Sequence, residues 1–254
     1  MITVVITLGE GTLPGLGRAL RDGGFAVRQT PLLSFGPPRE RAPFDAAMAR
    51  LERYAAIALT SPRAAEAFRT RWTPPPRPAE WSVSKSRLWV VGAGTARGLG
   101  SGAGWCHRAA RRRGRETAAE ALARTMLDAG VGSPVLHLCG DVHRDEVSTR
   151  LRAAGMKVDE VQAYRSTLAT PAAARRACME AGAVVVGSPR VAALLARSIP
   201  AADRPILIAL GPTTASVAAQ FGWRAAAVAR RPTVGEVRGA VRRGLELRLI
   251  AVSH

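Results

Sequence analysis

The chain has 254 residues, 47% of them hydrophobic and 22% charged, a size that accommodates two domains and a composition that excludes a disordered chain. Its formal net charge of +18 is unusual, but only Lys85 and Lys157 are lysines, the arginines are scattered apart from one run at Arg108 to Arg115, and aromatics make up 5%. A nucleic-acid-binding protein is therefore not expected, and the charge fits either a solvated basic surface or a field that attracts a polyanion.

Short apolar runs alternate with helical patterns from end to end, as expected of a parallel sheet with crossover helices. The runs Ile2–Leu8, Ala55–Thr60, Arg87–Val91, Pro134–Cys139, Ala183–Gly187 and Pro205–Leu210 read as strands, rich in Val, Ile and Leu without alternation. The first of them has no basic region ahead of it and is not a secretion signal. No run approaches the roughly 20 apolar residues of a membrane span. Pro31 to Pro38 and Val161 to Pro171 are extended, Pro-bounded stretches suited to crossing between domains, and the proline-rich stretch Trp72 to Trp81 reads as a surface insertion.

The two halves of the chain resemble each other. AAIALTSPRAAEAF, from Ala55, parallels AGAVVVGSPRVAALL, from Ala181, and pairs Ser61 with Ser188. Further on, Gly92 pairs with Gly211, Trp105 with Trp223, Thr117 with Thr233 and Glu120 with Glu236. An earlier block pairs Gly9 with Gly140, Leu20 with Leu151, Gly24 with Gly155 and Val27 with Val158. Blocks in the same order imply an internal duplication and two similar α/β domains.

Each half carries two turns in which a buried strand gives way to a helix. Thr60-Ser61-Pro62-Arg63 and Gly187-Ser188-Pro189-Arg190 place a serine at the cap position and proline at the first helical position, where its missing N–H costs nothing. Gly92-Ala93-Gly94-Thr95 and Gly211-Pro212-Thr213-Thr214 form the second pair. All four lie at carboxyl ends of strands, where open α/β sheets bind ligands and helix N–H groups attract anions.

Other signals fall away. Gly92-x-Gly94-x-x-Arg97 puts arginine where a dinucleotide fingerprint needs a small residue. Cys106, Cys139 and Cys178 form no CxxC pair, and no spacing near His137 and His143 completes a metal site, so neither metal nor cofactor is expected and a reducing cytoplasm fits. Asp141 and Asp145 read as a solvated loop and helix start, and neither a GxSxG elbow nor a P-loop occurs.

TSPRAAEAF at Thr60, VVGAGTA at Val90, LRAAGMKVDEVQAYRS at Leu151, VVVGSPRVAALL at Val184 and IALGPTTASVAAQFGW at Ile208 resemble the uroporphyrinogen-III synthase family nearly end to end. The resemblance implies two flavodoxin-like parallel-sheet domains joined by a two-stranded linker, with the active site in the cleft between them. It further implies an exchanged connection: residues 1–30 with 168–254 form one domain, 37–160 the other, and 31–36 and 161–167 the linker strands. The implied protein is a cytoplasmic, monomeric lyase of heme biosynthesis without a cofactor, acting on a polycarboxylate bilane, with no nucleic-acid or membrane partner. It cyclises hydroxymethylbilane with inversion of ring D, through an azafulvene and a spiro intermediate. By resemblance Tyr164 assists departure of the hydroxyl, Thr95, Ser188, Thr213 and Thr214 line the substrate site with Thr60, Ser61, Gly92 and Gly211 beside them, and Arg144 meets a carboxylate. The family's first strand ends in Thr-Arg, whereas this chain reads Thr7-Leu8-Gly9-Glu10. That departure keeps open an alternative, a non-catalytic relative that binds an anionic ligand as a sensor or interaction module.

Overall fold

Apolar runs without alternation need cover on both faces, and helices supply it on either side of two parallel sheets. The computed structural model describes residues 1–9, 11–72, 87–100 and 106–252. Most of the expected insertion at Trp72 to Trp81, Lys85, the acidic neighbour Glu10, and Trp105 of the Trp105–Trp223 pair lie outside the described residues. No helix among the described residues is long and apolar enough to cross a membrane.

In chain order the elements are β1 (Thr3–Ile6), α1 (Leu16–Arg21), β2 (Ala26–Gln29), β3 (Leu33–Gly36), α2 (Ala42–Met48), β4 (Ala56–Leu59), α3 (Pro62–Arg71), β5 (Leu88–Val90) and α4 (Ala93–Gly98). There follow β6 (His107–Arg108), α5 (Ala118–Asp128), β7 (Val135–Gly140), α6 (Glu146–Ala153), β8 (Val158–Leu168) and α7 (Pro171–Cys178). The chain closes with β9 (Ala183–Val186), α8 (Pro189–Ser198), β10 (Ile206–Ala209), α9 (Pro212–Gln220), β11 (Ala227–Val228) and α10 (Val234–Val252). Two units result: Met1–Ser34 with Thr167–His254, and the continuous stretch Phe35–Ser166.

In the first unit the sheet order is β11-β10-β9-β1-β2, and every pair is parallel. Side chains alternate across it. Val5, Val184, Val186 and Leu207 pack on one face with Leu195 and Trp223, while Val4, Ile6, Val185 and Ile208 pack on the other with Leu16, Leu20 and Val241. In the second unit the order is β3-β8-β7-β4-β5-β6, and the pairs from β8 through β6 are parallel. Ile57, Leu59, Leu136 and Leu138 meet Phe44 and Phe68 on one face, and Ala56, Ala58 and Val135 meet Leu122, Met126 and Leu151 on the other.

All six strands expected from apolar runs are present, with bounds shifted by no more than two residues: most are shorter, and β7 runs one residue further, to Gly140. The strands without such a signal are short or polar: β2 reads AVRQ, β6 is His107–Arg108 and β11 is Ala227–Val228. β8 reads VDEVQAYRSTL, and its first residues pair with β7 from Val135↔Val158 to Cys139↔Gln162. A bulge then shifts the register to Gly140↔Tyr164. Strand β8 thus starts at Val158, and its pairing with β7 runs on through Tyr164 into the stretch at Val161 to Pro171 that reads as a crossing segment.

Helix ends follow local chemistry. Thr117 and Glu120 form a reciprocal capping box on α5, with Glu120 N donating to Thr117 Oγ1 at 3.1 Å and Thr117 N to Glu120 Oε2 at 2.7 Å. Helices α1 and α6 both end at a left-handed glycine, Gly24 with φ 86° and Gly155 with φ 81°.

Helices α3 and α4 approach each other closely because Gly98 has no side chain. A Cβ there would lie 2.5 Å from the Pro62 carbonyl oxygen and 3.0 Å from Ala65 Cβ, and a backbone oxygen cannot rotate aside. Gly98→Ala is therefore expected to destabilise the protein by about 1–3 kcal/mol, the usual cost of overpacking. A urea unfolding midpoint indistinguishable from wild type would contradict this packing.

Candidate active site

Because both faces of each sheet are covered, the turns at the strands' carboxyl ends carry the accessible polar groups. In the second unit β4 leads into Thr60 and Ser61, and its neighbour β5 leads into Gly92, so the two turns stand side by side. Ser61 caps α3, its Oγ accepting from Ala64 N at 3.0 Å, with Pro62 at the first helical position. Gly92 is in extended backbone, and a Cβ there would meet nothing within 4 Å. Neither conformation nor packing calls for glycine at Gly92, but the open space suits an approaching ligand. Thr95 is buried in the first turn of α4.

On the far side of β4 lies β7, followed by β8. Gly140 at the end of β7 leaves room for the Tyr164 ring, whose Cζ would be 2.6 Å from a Cβ on Gly140. The ring also packs edge-on against Phe35 at 5.9 Å. Tyr164 is half-buried and lines a cleft of about 390 Å³ together with Phe35, Arg41, Arg63 and Arg71. Its hydroxyl meets no hydrogen-bond partner among the described residues. Arg63 lies 4.8 Å over the Phe35 ring and pairs with Glu66 at 2.8 Å, while Arg71 pairs with Asp45. Asp141 is not simply solvated, since its Oδ1 accepts from Ser166 N at 2.8 Å and Ser166 Oγ at 2.9 Å and so fastens the end of β8. Arg144 stands apart in the loop before α6, its side chain 72% exposed and 3.6 Å from Glu146.

The first unit repeats the pattern with differences. β9 leads to Gly187 and Ser188, and its neighbour β10 leads to Gly211, where again a Cβ would meet nothing within 4 Å. Ser188 departs from the expectation of a cap: its side chain makes no capping bond to α8. Thr214 is buried, and its Oγ1 donates to Gly187 O at 3.3 Å, tying the two turns together. Thr213, one residue earlier, is exposed. The structure therefore gathers Thr60, Ser61, Gly92 and Thr95 in one unit and Ser188, Gly211, Thr213 and Thr214 in the other, each set at a carboxyl edge.

One group escaped the sequence reading. His137 on β7 is fully buried, with Nε2 at 3.1 Å from Thr60 Oγ1 and Nδ1 at 2.8 Å from Ser148 Oγ. Glu160, opposite His137 in the β7–β8 register, places Oε2 at 3.6 Å from Nδ1 and Oε1 at 2.9 Å from His143 Nε2. Burial pushes His137 down to about 4, outweighing the attraction of Glu160. Burial of Glu160 opposes its charge, but the Ser148 hydroxyl and the two imidazoles outweigh it and hold the carboxyl below its ordinary range. Cys139, His143 and Glu160 bring ligand-type atoms within 4.8 Å of one another, a convergence that spacing along the chain does not reveal. They are poorly disposed toward a metal: burial and then Glu160 push the Cys139 thiol up to about 12, and both His143 nitrogens are engaged, by Gly140 O at 2.8 Å and by Glu160.

Two parallel sheets, each with paired small-residue turns and open glycines at its carboxyl edge, define an α/β ligand-binding protein. The family model described as uroporphyrinogen-III synthase HemD matches residues 15–237, and the chain belongs to this family of cyclising lyases of tetrapyrrole biosynthesis. Two solved structures share its fold. A mutant uroporphyrinogen III synthase of the thermophilic bacterium Thermus thermophilus matches with a TM-score of 0.64 at 14% identity, over 97% of this chain and 100% of that one. The uroporphyrinogen-III synthetase of Helicobacter pylori matches with a TM-score of 0.58 at 15% identity, over 99% of this chain and 100% of that one. Among curated protein sequences none matches.

The buried imidazole makes stability depend on pH. Its folded value of about 4 lies below the ordinary 6.5, so the folded state favours the neutral ring. Stability is then complete above about pH 6.5 and falls as pH drops toward 4, by about 3 kcal/mol from this one group. His137→Gln is expected to flatten that part of the profile of unfolding free energy against pH. An unchanged slope between pH 6.5 and 4 would assign the acid sensitivity elsewhere.

Proposed function

We propose that the chain converts hydroxymethylbilane into uroporphyrinogen III. In this reading the carboxyl edges of both sheets hold the polycarboxylate substrate. Loss of the bilane hydroxyl gives an electrophilic azafulvene, ring D attacks through its substituted carbon, and the spiro product fragments and recloses with that ring inverted. Spontaneous closure without inversion competes, so the protein's task is to hold one conformer, and positioning supplies much of the rate. The observation that carries the proposal is the Tyr164 hydroxyl, which lines a cleft, meets no hydrogen-bond partner among the described residues and is placed to donate to the departing oxygen. The open glycines Gly92 and Gly211 and the uncapped Ser188 hydroxyl support a role for the turns in substrate contact. Thr60, Ser61, Thr95, Thr213 and Thr214 belong to the same proposed site. Arg144, well exposed, serves best as an outer contact for a carboxylate.

The same reading takes the two units as products of a duplication, with residues 31–36 and 161–167 as the linker between domains 1–30 plus 168–254 and 37–160. The matching glycine stops at Gly24 and Gly155 support it, as does Glu236 N donating to Thr233 Oγ1 at 3.4 Å, which repeats half of the Thr117 capping box. It also takes the protein as a cytoplasmic monomer that needs no cofactor and no nucleic-acid partner.

A coupled assay with freshly generated hydroxymethylbilane tests the activity by resolving type III from type I product. Type III product is expected, and type I alone at the level of the blank would overturn the proposal. Tyr164→Phe removes the donor and keeps the ring, so turnover should drop by about 10²–10⁴-fold with little change in thermal midpoint. Ser188→Ala and Thr213→Ala should mainly raise KM, because backbone N–H groups remain at those turns. Wild-type turnover in Tyr164→Phe would reduce the tyrosine to a packing residue.

Salt addresses the role of the charge. If the net +18 draws in a polycarboxylate, KM should rise with ionic strength, as the Debye length shrinks from about 10 Å at 0.1 M to about 3 Å at 1 M. A flat response would make the basic surface irrelevant to substrate capture.

A further inference from the structure

The His137 cluster lies outside the groups that the proposed reaction uses, yet it touches one of the turns. Thr60 is half-buried at the carboxyl end of β4, with its hydroxyl 3.1 Å from His137 Nε2. A neutral imidazole carries one proton, and which nitrogen holds it is fixed by the neighbours. Nδ1 faces the Ser148 hydroxyl at 2.8 Å and the Glu160 carboxylate at 3.6 Å. Glu160 is itself held anionic, against its burial, by the Ser148 hydroxyl and by His143 at 2.9 Å. A carboxylate that close, in a site where His137 is wholly buried, favours the proton on Nδ1. Nε2 is then a bare acceptor, and among the described residues the hydrogen that satisfies it is that of the Thr60 hydroxyl, 3.1 Å away. Turned inward in this way, Thr60 has no proton left to offer outward. Its oxygen presents lone pairs alone.

We infer that His137 fixes Thr60 as a hydrogen-bond acceptor toward the ligand, so that this turn recognises an N–H donor such as a pyrrole N–H of the bilane, and not a carboxylate. The inference rests on the proposed function for the identity of the ligand, but not for the orientation of the hydroxyl. A carboxylate brought to Thr60 would set lone pairs against lone pairs, whereas a pyrrole nitrogen supplies the missing hydrogen. His137 acts through Thr60 and is a positioning residue. The matching place in the first unit is Gly187, which has no hydroxyl and whose carbonyl already accepts from Thr214. Thr60 and Gly187 therefore differ in polarity at matching positions, and only the second unit's turn offers a hydroxyl oxygen to an N–H donor at that point.

Two measurements test this. In long-range ¹H–¹⁵N correlation spectra at pH 7, His137 is expected as the neutral form protonated on Nδ1, and Thr60→Val should move the Nε2 resonance toward that of an unbonded nitrogen. A proton found on Nε2 overturns the inference, whether or not the protein turns over bilane. The second measurement titrates wild type and Thr60→Val with a pyrrole bearing acetate and propionate side chains, and with its N-methyl derivative. Wild type should prefer the N–H form by about tenfold, the worth of one hydrogen bond to a well-placed partner, and Thr60→Val should bind both alike. Thr60→Ser, which keeps the hydroxyl, should restore the preference. In the bilane assay Thr60→Val should raise KM about tenfold with kcat within twofold of wild type. Equal binding of the two pyrroles by wild type, or a preference that survives in Thr60→Val, overturns the inference even if type III product is formed. Absence of type III product with the preference intact would instead overturn the proposed reaction and leave the recognition standing.

Discussion

Cover on both faces of each sheet is the constraint from which the remaining features follow. A strand enclosed by helices on either side has no place for a polar side chain along its length, so hydroxyls and backbone N–H groups become available only where the strand stops. The chain obeys this in β4, β9 and β10, which are apolar throughout, and in β1 after Thr3, and the four strands give way to Thr60, Gly187, Leu210 and Thr7 respectively. Proline at the first turn of α3, α8 and α9 then starts each helix at once, which keeps the turn short and its backbone exposed. The candidate site is thus a product of the core: the tighter the cover, the more sharply polar groups are concentrated at one edge.

His137 is the exception within β7, and it shows what a buried polar residue demands. Both ring nitrogens are matched, one by Thr60 and one by Ser148, and Glu160 is paired through Oε1 with His143, while its buried Oε2 has ion-pair neighbours but no hydrogen bond among the described residues. Each member constrains the next. Residues from β4, β7, α6 and β8 are drawn into one hydrogen-bonded line, and the rotamer of a turn residue is set from within the core.

The sequence makes one layer of this legible and hides another. Strands covered on both faces announce themselves through composition, and Ser-Pro and Gly-rich punctuation marks the turns after β4, β5, β9 and β10. Polar strands do not: β8 carries Asp159, Glu160, Gln162 and Arg165 and lacks an apolar run, and its part from Val161 onward reads as a crossing segment although Val161, Gln162 and Tyr164 pair with β7. Local motifs also leave side-chain partners open. Ser61 and Ser188 sit in the same Ser-Pro-Arg context, yet only Ser61 caps its helix. The link between His137 and Glu160 depends on strand register, which places them opposite each other across two parallel strands, and nothing in their separation along the chain reveals it. The placement of the Tyr164 ring depends likewise on Gly140, whose missing side chain makes room for it.

The interrupted path of the first unit has a consequence for biosynthesis on the ribosome. Strand β1 lies inside its sheet between β2 and β9, and Thr7 Oγ1 donates to Val185 O at 2.8 Å, a partner encoded far downstream. The intervening stretch Phe35–Ser166 forms a unit of its own. As translation proceeds, β1 and β2 are made ahead of the second unit, with Val4, Val5 and Ile6 of β1 lacking their β9 neighbour, and they wait while the whole second unit is made. Such an orphaned fragment is the kind of surface that chaperones shield. Strand β1 thus meets its β9 neighbour only after the whole of the second unit has been made.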